Sequence, residues 1–259
     1  MIGLVLAAGA GRRLRPHTER LPKALVPLRR DGTSVLDLTL SNFAAAGMQR
    51  VVVVVGYRAE TIAARVESWE SALGLRVELV HNDRAEEWNN AYSLWCARRV
   101  LSEGVVLANG DTLHPPALTS ALAGLDVGDV CLAVDMRKKL GDEEMKVLID
   151  TSGLVRAISK TLPHDADGEY IGVARIPAAA AGAVVDALAR TWGRDPSAFY
   201  EAAFQLLVDE GRPLVGHPIG TAPWVEIDDE ADLARAREVA AATHPVGGRE
   251  RRRRSLCRS

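Results

Sequence analysis

Met1-Ile2-Gly3-Leu4-Val5-Leu6-Ala7-Ala8-Gly9-Ala10-Gly11-Arg12-Arg13-Leu14, continuing through Pro16, Thr18 and Pro22-Lys23 to Leu28, decides how the rest of the chain is read. An apolar run ends in Gly9-Ala10-Gly11, Arg12 and Arg13 follow at once, and Lys23 closes the stretch. Glycines let a main chain approach a ligand closely, and successive N–H groups in such a turn form a nest for anions. With mobile cations beside it, the loop is suited to gripping phosphates. Two other glycine-rich motifs do not fit. A dinucleotide fingerprint needs a third glycine where Leu14 stands, and a Walker loop needs Gly-Lys-Ser/Thr, which is absent. Gly-x-Gly by itself is equally an ordinary strand-to-helix turn.

Outward from the loop, the pattern alternates. Ser34 is placed to cap a helix whose apolar positions Val35, Leu36, Leu38, Leu40 and Phe43 lead to the stop signal Gly47. Val51 to Val55 is a β-branched run suited to a strand buried on both faces. Ala59 to Leu73 predicts a second helix, Leu75 to Val80 a third strand, Asn90 to Leu101 a third helix and Val105 to Ala108 a fourth strand. Such alternation implies right-handed β-α-β units and a parallel sheet covered by helices on both faces, with ligands beyond the carboxyl ends of the strands. Shorter strands follow at 130–134, 146–149, 155–159 and 170–176, then helices at 177–190 and 197–210. Val225 to Asp228 reads as a last strand returning to the sheet, and Glu230 to Ala242 as a terminal helix.

The 259 residues, 47% of them hydrophobic, suffice for one large α/β domain. We place it at residues 1–243, with 244–259 as a basic, disordered, solvated tail. A net charge of -2 lacks the excess expected of a general nucleic-acid binder. No apolar run reaches membrane length and no basic leader precedes the first strand, so a cytoplasmic protein with no membrane partner is expected. Cys96, Cys131 and Cys257 are too scattered for a disulfide framework or a zinc site.

Two acids stand at predicted strand ends, Asp111 in Asn109-Gly110-Asp111 and Asp228 in Trp224-Val225-Glu226-Ile227-Asp228-Asp229. One carboxylate from each of two neighbouring strands, together with phosphate oxygens and water, suits Mg²⁺. Taken singly, each acid is as readily a turn residue or, for Asp228 or Asp229, a helix cap. Asn89-Asn90-Ala91-Tyr92-Ser93-Leu94-Trp95 offers amides at a helix start, able to read a pyrimidine edge or simply to cap the helix while Tyr92 and Trp95 pack inward.

The opening stretch resembles the signature L-A-A-G-x-G-x-R-L-x-P-x-T-x-x-x-P-K-x-L-x-P of the sugar-phosphate nucleotidyltransferase superfamily. Ala7, Ala8, Gly9, Gly11, Arg13, Leu14, Pro16, Thr18, Pro22, Lys23, Leu25 and Pro27 fall in register. Asn-Asn-x-Tyr-Ser-Leu, Glu144-Met145-Lys146-Val147, Ile158-Ser159-Lys160, Gly168 to Gly172 and Trp224 to Asp228 resemble its branch of phosphocholine, 2-aminoethylphosphonate and inositol-phosphate cytidylyltransferases. The resemblance implies a single Rossmann-like α/β nucleotidyltransferase domain, with a mostly parallel central sheet and a smaller acceptor-binding β subregion. It implies a Mg²⁺-dependent enzyme that joins a nucleoside monophosphate from an NTP, CTP favoured, to a small phosphate or phosphonate acceptor and releases pyrophosphate.

Carried over residue by residue, the resemblance makes Arg13, Lys23, Asp111 and Asp228 catalytic, the two aspartates as metal ligands. It gives the nucleotide Leu6, Ala7, Ala8, Gly9, Gly11, Arg12, Arg13 and Lys23 from the first loop, with Asn82, Asn89, Asn90, Ser93 and Gly110. It gives the acceptor Lys146, Lys160, Glu169, Tyr170, Gly172 and Glu226. Glu226 lies two residues before Asp228, on one face of a strand, and a carboxylate there suits a cationic head, with Tyr170, Tyr200 and Trp224 offering aromatic faces. Core packing of those rings and a metal-side role for Glu226 are the alternatives. Arg12 departs from the usual Thr or Ser of the motif. A sugar-1-phosphate uridylyl- or thymidylyltransferase, and a non-catalytic nucleotide-binding regulator, are the competing functions.

Overall fold

The computed structural model describes residues 1–245. Strand β1 (Ile2–Ala7) leads through the glycine loop to helix α1 (Val35–Ala45). Ser34 and Asp37 form a capping box at its start, and Gly47 follows its end at φ 79°. Next come β2 (Arg50–Val55), α2 (Ala59–Ala63), α3 (Val66–Leu73), β3 (Arg76–His81), α4 (Asn90–Cys96), α5 (Arg98–Leu101), β4 (Val105–Asn109) and β5 (Thr112–Leu113). The second half runs through α6 (Pro116–Gly124), β6 (Val130–Asp135), β7 (Lys146–Ile149), β8 (Val155–Ser159), β9 (Gly168–Ile176), α7 (Ala181–Arg194), α8 (Glu201–Asp209), β10 (Leu214–Pro218), β11 (Val225–Glu226) and α9 (Glu230–Thr243).

The central sheet has the order β10-β6-β9-β4-β1-β2-β3. β4, β1, β2 and β3 are mutually parallel, as the alternation predicts, whereas β9 lies antiparallel between β4 and β6. β9 is buried along its whole length, so this inserted strand joins the two halves of the chain in one sheet. The hairpin β7–β8 pairs antiparallel, through β7, with the start of β9 at Gly168 and Glu169. Strand pleating sends Leu4, Leu6, Val52, Val54 and Leu107 to one face, beneath α4, α5, α7 and α8. It sends Val5, Val51, Val53, Val106 and Ala108 to the other, beneath α1, α3 and α6. Helices thus cover both faces.

Several predicted elements are shorter. The helix expected over 59–73 is two, interrupted at Ala64 and Arg65, whose guanidinium pairs with Asp37 on α1 at 2.9 Å. The helix over 90–101 is interrupted at Ala97, whose N–H turns back to Leu94. That over 197–210 starts only at Glu201, because Asp195 takes both the N–H and the hydroxyl of Ser197 in a turn and Tyr200 N–H goes to Asn90. The strand at Val225 does not return to the central sheet: β11 pairs antiparallel with β5 in a separate ribbon. His244, placed by sequence in a solvated tail, is half-buried, with Nε2 2.8 Å from Asn42 Oδ1 and its carbonyl accepting from Arg29. The remainder of that expected tail, 246–259, lies outside the described residues.

Candidate active site

β1 and β4 end side by side, and the loops leaving them shape the site. After Ala7 the chain passes Gly9, around whose Cα there is open space, to Gly11 at φ 60°. A side chain at Gly11 would come within 2.8 Å of Lys23 Cβ, so glycine lets this loop close against Lys23. Thr18 Oγ1 donates to the Gly11 carbonyl at 2.8 Å and holds the closure. Lys23 is thereby turned toward the end of β4.

The ribbon of β5 and β11 does the rest. Its pairing sets Glu226 opposite Thr112, and Ile227 N–H donates to the Asp111 carbonyl at 3.1 Å. Asp111 and Asp228, more than a hundred residues apart in sequence, are so placed together. Asp229, not Asp228, caps α9, accepting from Ala231 N–H and Asp232 N–H, which leaves Asp228 for the cleft. One oxygen each of Asp111, Glu226 and Asp228 lie within 4.8 Å of one another.

Lys23 Nζ donates to Asp111 Oδ2 at 2.8 Å and to Asp228 Oδ1 at 2.6 Å, and Arg13 meets the other oxygen of Asp228 at 2.9 Å. Desolvation disfavours a charged Lys23, but the two carboxylates outweigh it and raise its pKa. Desolvation likewise opposes charge on Asp228, yet Lys23 and then Arg13 hold its pKa below the ordinary carboxylate value. Glu226 moves the other way, raised first by desolvation within the concave site and then by Asp111 and Asp228. Three carboxylate oxygens with no nitrogen or sulfur donor form a set that fits a hard divalent cation.

A cleft of about 300 Å³ opens over these groups. It is bordered by Leu6, Ala7, Ala8, Gly9, Arg13, Lys23 and Gly110 from the strand ends, and by Asn89, Asn90 and Ser93 at the start of α4. Asp111, Lys160, Tyr170, Gly172, Glu226 and Asp228 border it from the second half of the chain. A larger cavity of about 650 Å³ adjoins it through Arg13, Glu143, Glu226 and Asp228. The single sheet therefore gathers residues from both halves around one acidic centre.

Other predicted residues stand elsewhere. Lys146 is buried, borders neither cavity, and donates its ammonium to the Lys160 carbonyl at 2.5 Å. Asn82 is buried, linking Ser93 Oγ to the Arg84 N–H. Gly11 and Arg12 lie outside both cavities. Glu169 borders only the larger one, where Lys138 meets it at 2.8 Å; Trp224 lies there too, its Nε1 donating to Asp135. Tyr200 is fully buried, and its hydroxyl bonds Tyr170 and Asn109, so the core reading of that ring holds. Asn89 caps α4 and donates to the Ser197 carbonyl, while Asn90 accepts from Tyr200 N–H. Those amides brace the start of α4 against the segment leading into α8. Tyr92 and Trp95 are half-buried and pack against Trp88 and Trp192.

Sequence reading missed Trp88, Asn109, Met145, Phe199 and Glu201, all of which border the cleft. Glu201 was hidden inside a predicted helix. Its one sequence signal is its position directly after Tyr200.

The profile of the MobA-like NTP transferase domain matches residues 3–256. The CMP-5'-(3-aminopropyl)phosphonate synthase of Streptomyces rubellomurinus is 37% identical over 120 residues, 46% of this chain and only 18% of that protein. The N-acetylmuramate alpha-1-phosphate uridylyltransferase of Caulobacter vibrioides is 34% identical over 182 residues, 66% of this chain and 73% of that one. Among solved structures, the inositol-1-phosphate CTP transferase of T. maritima superposes with a TM-score of 0.74 at 27% identity, over 92% of this chain and 96% of the other.

Proposed function

This chain belongs to the MobA-like NTP transferase domain family, and we propose that it transfers a cytidylyl group from CTP to a small phosphate or phosphonate acceptor, releasing pyrophosphate. The observation that carries the reading is the meeting of Lys23 and Arg13 with Asp111, Asp228 and Glu226 where the glycine loop ends. The glycine-loop backbone and Arg13 bind the triphosphate. An acceptor oxygen, already anionic at neutral pH, attacks the α-phosphorus; one P–O bond forms as the bond to pyrophosphate breaks. No general base is needed, because repulsion between two polyanions is the obstacle.

Lys23 reaches into that gap as a fixed cation with two carboxylates orienting it, and Lys160 faces it from the acceptor side of the cleft. Asp111 and Asp228, with Glu226 beside them, would hold Mg²⁺, which when bound stabilises charge developing on the α-phosphate. Trp88, Asn89, Asn90 and Ser93 border the base end, a space suited to a pyrimidine. The phosphonate synthase and the CTP transferase support cytidine.

The longer match to a uridylyltransferase supports the competing sugar-phosphate reading. Pyrophosphate release, measured for CTP, UTP, dTTP and ATP against aminoalkyl, polyol and sugar phosphates with and without Mg²⁺, separates the two. CTP with a small non-sugar acceptor is the expected best pair. Equal or better turnover of UTP with a sugar 1-phosphate would move the protein to the other branch.

A further inference from the structure

The acceptor end of the cleft contains an acid with no part in the reaction above. Glu201 opens α8, is 5% exposed, and borders the cleft beside Phe199, Lys160, Met145 and Tyr170. Its Oε2 is closed off from solvent and has no hydrogen-bond partner among the described residues. A buried acceptor without a donor is costly, so the fold retains here a polar atom that its own side chains do not satisfy. Burial raises the Glu201 pKa to about 7 against hydrogen bonds from its own backbone and the Tyr200 side chain and then the charge of Lys160, so carboxyl group and cation share one end of the cleft. Among the described residues Lys160 is itself paired only with Glu143, at 3.5 Å on the exposed rim.

Resting on the proposed cytidylyl transfer, we infer that Glu201 accepts a hydrogen bond from a primary ammonium on the acceptor, selecting aminoalkyl phosphonates or phosphates over their trimethylammonium counterparts. Lys160 and Glu201 together match a short zwitterion: phosphonate at the lysine, amine at the carboxylate. A quaternary ammonium has no N–H to give Oε2, and it binds best against open ring faces. Those faces are taken. Tyr170 and Tyr200 are 3% and 0% exposed, stand edge to face at 6.3 Å, and share a hydroxyl contact of 2.9 Å. The Phe199 ring carries the Lys160 ammonium 5.2 Å from its centre. Glu226, the carboxylate that sequence assigned to a cationic head, has an oxygen within 4.8 Å of Asp111 and Asp228.

The test compares 2-aminoethylphosphonate, its N-trimethyl analogue and 2-hydroxyethylphosphonate as acceptors for the full-length protein with CTP and Mg²⁺. A site built to hydrogen-bond a substrate rejects analogues lacking the donor, so the amine is expected to lead each analogue by about tenfold or more in kcat/KM. Glu201→Gln should remove most of that lead, chiefly through a raised KM for the amine, and Glu201→Asp should restore part of it. Circular dichroism and CTP titration establish that each variant folds. A wild type that uses the trimethyl or hydroxyl analogue as well as the amine, or a Glu201→Gln enzyme that discriminates as before, overturns the inference and leaves cytidylyl transfer standing. Failure of every acceptor with CTP refutes the proposed cytidylyl transfer itself. Calorimetry of 2-aminoethylphosphonate then decides on Glu201: weaker binding to Glu201→Gln supports the contact, and equal binding overturns it.

Discussion

Lys23 faces two carboxylates at once, and a cation so placed has its largest effect when two anionic substrates converge. Lys23→Ala should therefore lower kcat more than it raises the KM for CTP, while Arg13→Ala, at the more exposed contact, should damage both. A Lys23 variant with unchanged kcat would return that residue to passive binding. Asp111→Asn and Asp228→Asn should each cost on the order of a hundredfold or more in turnover, the scale expected when a charge aimed at the transition state is removed. Near-normal turnover of either variant at low Mg²⁺ would refute their assignment. Lys146 makes a contrasting case. Its ammonium serves the Lys160 carbonyl inside the protein, so Lys146→Met should lower unfolding stability by about 1–3 kcal/mol with acceptor KM nearly unchanged. Urea titration and acceptor kinetics measure the two effects separately.

At the scale of elements, the β5–β11 ribbon is what brings the acids together, and its support is polar as well as apolar. His114, directly after β5, is buried; its Nε2 lies 2.9 Å from Thr119 Oγ1, and its carbonyl accepts from Asn42 at 2.9 Å. Burial lowers its pKa from 6.5 to about 4. Below pH 6.5 the unfolded chain takes up a proton that the folded chain refuses until about pH 4. Its contribution, complete above pH 6.5, is therefore lost as pH falls through that window, to a total on the order of 3 kcal/mol. Burial lowers the His244 pKa to about 4 as well, so chemical unfolding at successive pH values should show a slope from both histidines, and His114→Gln should reduce it. Gly172 tests β9 in the same way. At φ 77°, with a Cβ that would fall 2.4 Å from Asn109 Nδ2, Gly172→Ala should destabilise the fold by about 1–3 kcal/mol and disturb the cleft.

For the whole molecule, the cleft lies where the two halves of one sheet meet, so ligands that bridge it should stabilise everything. CTP with Mg²⁺ at a hundred times its Kd should raise unfolding free energy by about 2.7 kcal/mol. Mg²⁺ alone should raise it little, because Lys23 and Arg13 already neutralise Asp111 and Asp228. Thermal unfolding with each ligand separately and together checks this, and a large shift with Mg²⁺ alone would mean that the cations do not compete. No helix among the described residues is long and apolar enough to cross a membrane.

Local chemistry was legible before any fold was known. The glycine loop, the valine run of β2, the Ser34 cap and the strand-helix alternation express themselves within a few residues, because nests, pleats and caps are short-range structures. Asp111 and Asp228 were visible as acids at strand ends, and Lys160 as a cation directly after β8. Their convergence was not. It depends on β9 entering the sheet antiparallel and on β11 leaving it to pair with β5, choices made by packing between segments far apart in sequence. For the same reason Lys146 read as a ligand lysine and proved a buried donor, and Glu201 read as an ordinary helix residue and proved a buried acid at the cleft. A side chain's type is written in sequence, whereas its solvent and its partners are set only when the second half of the chain folds over the first.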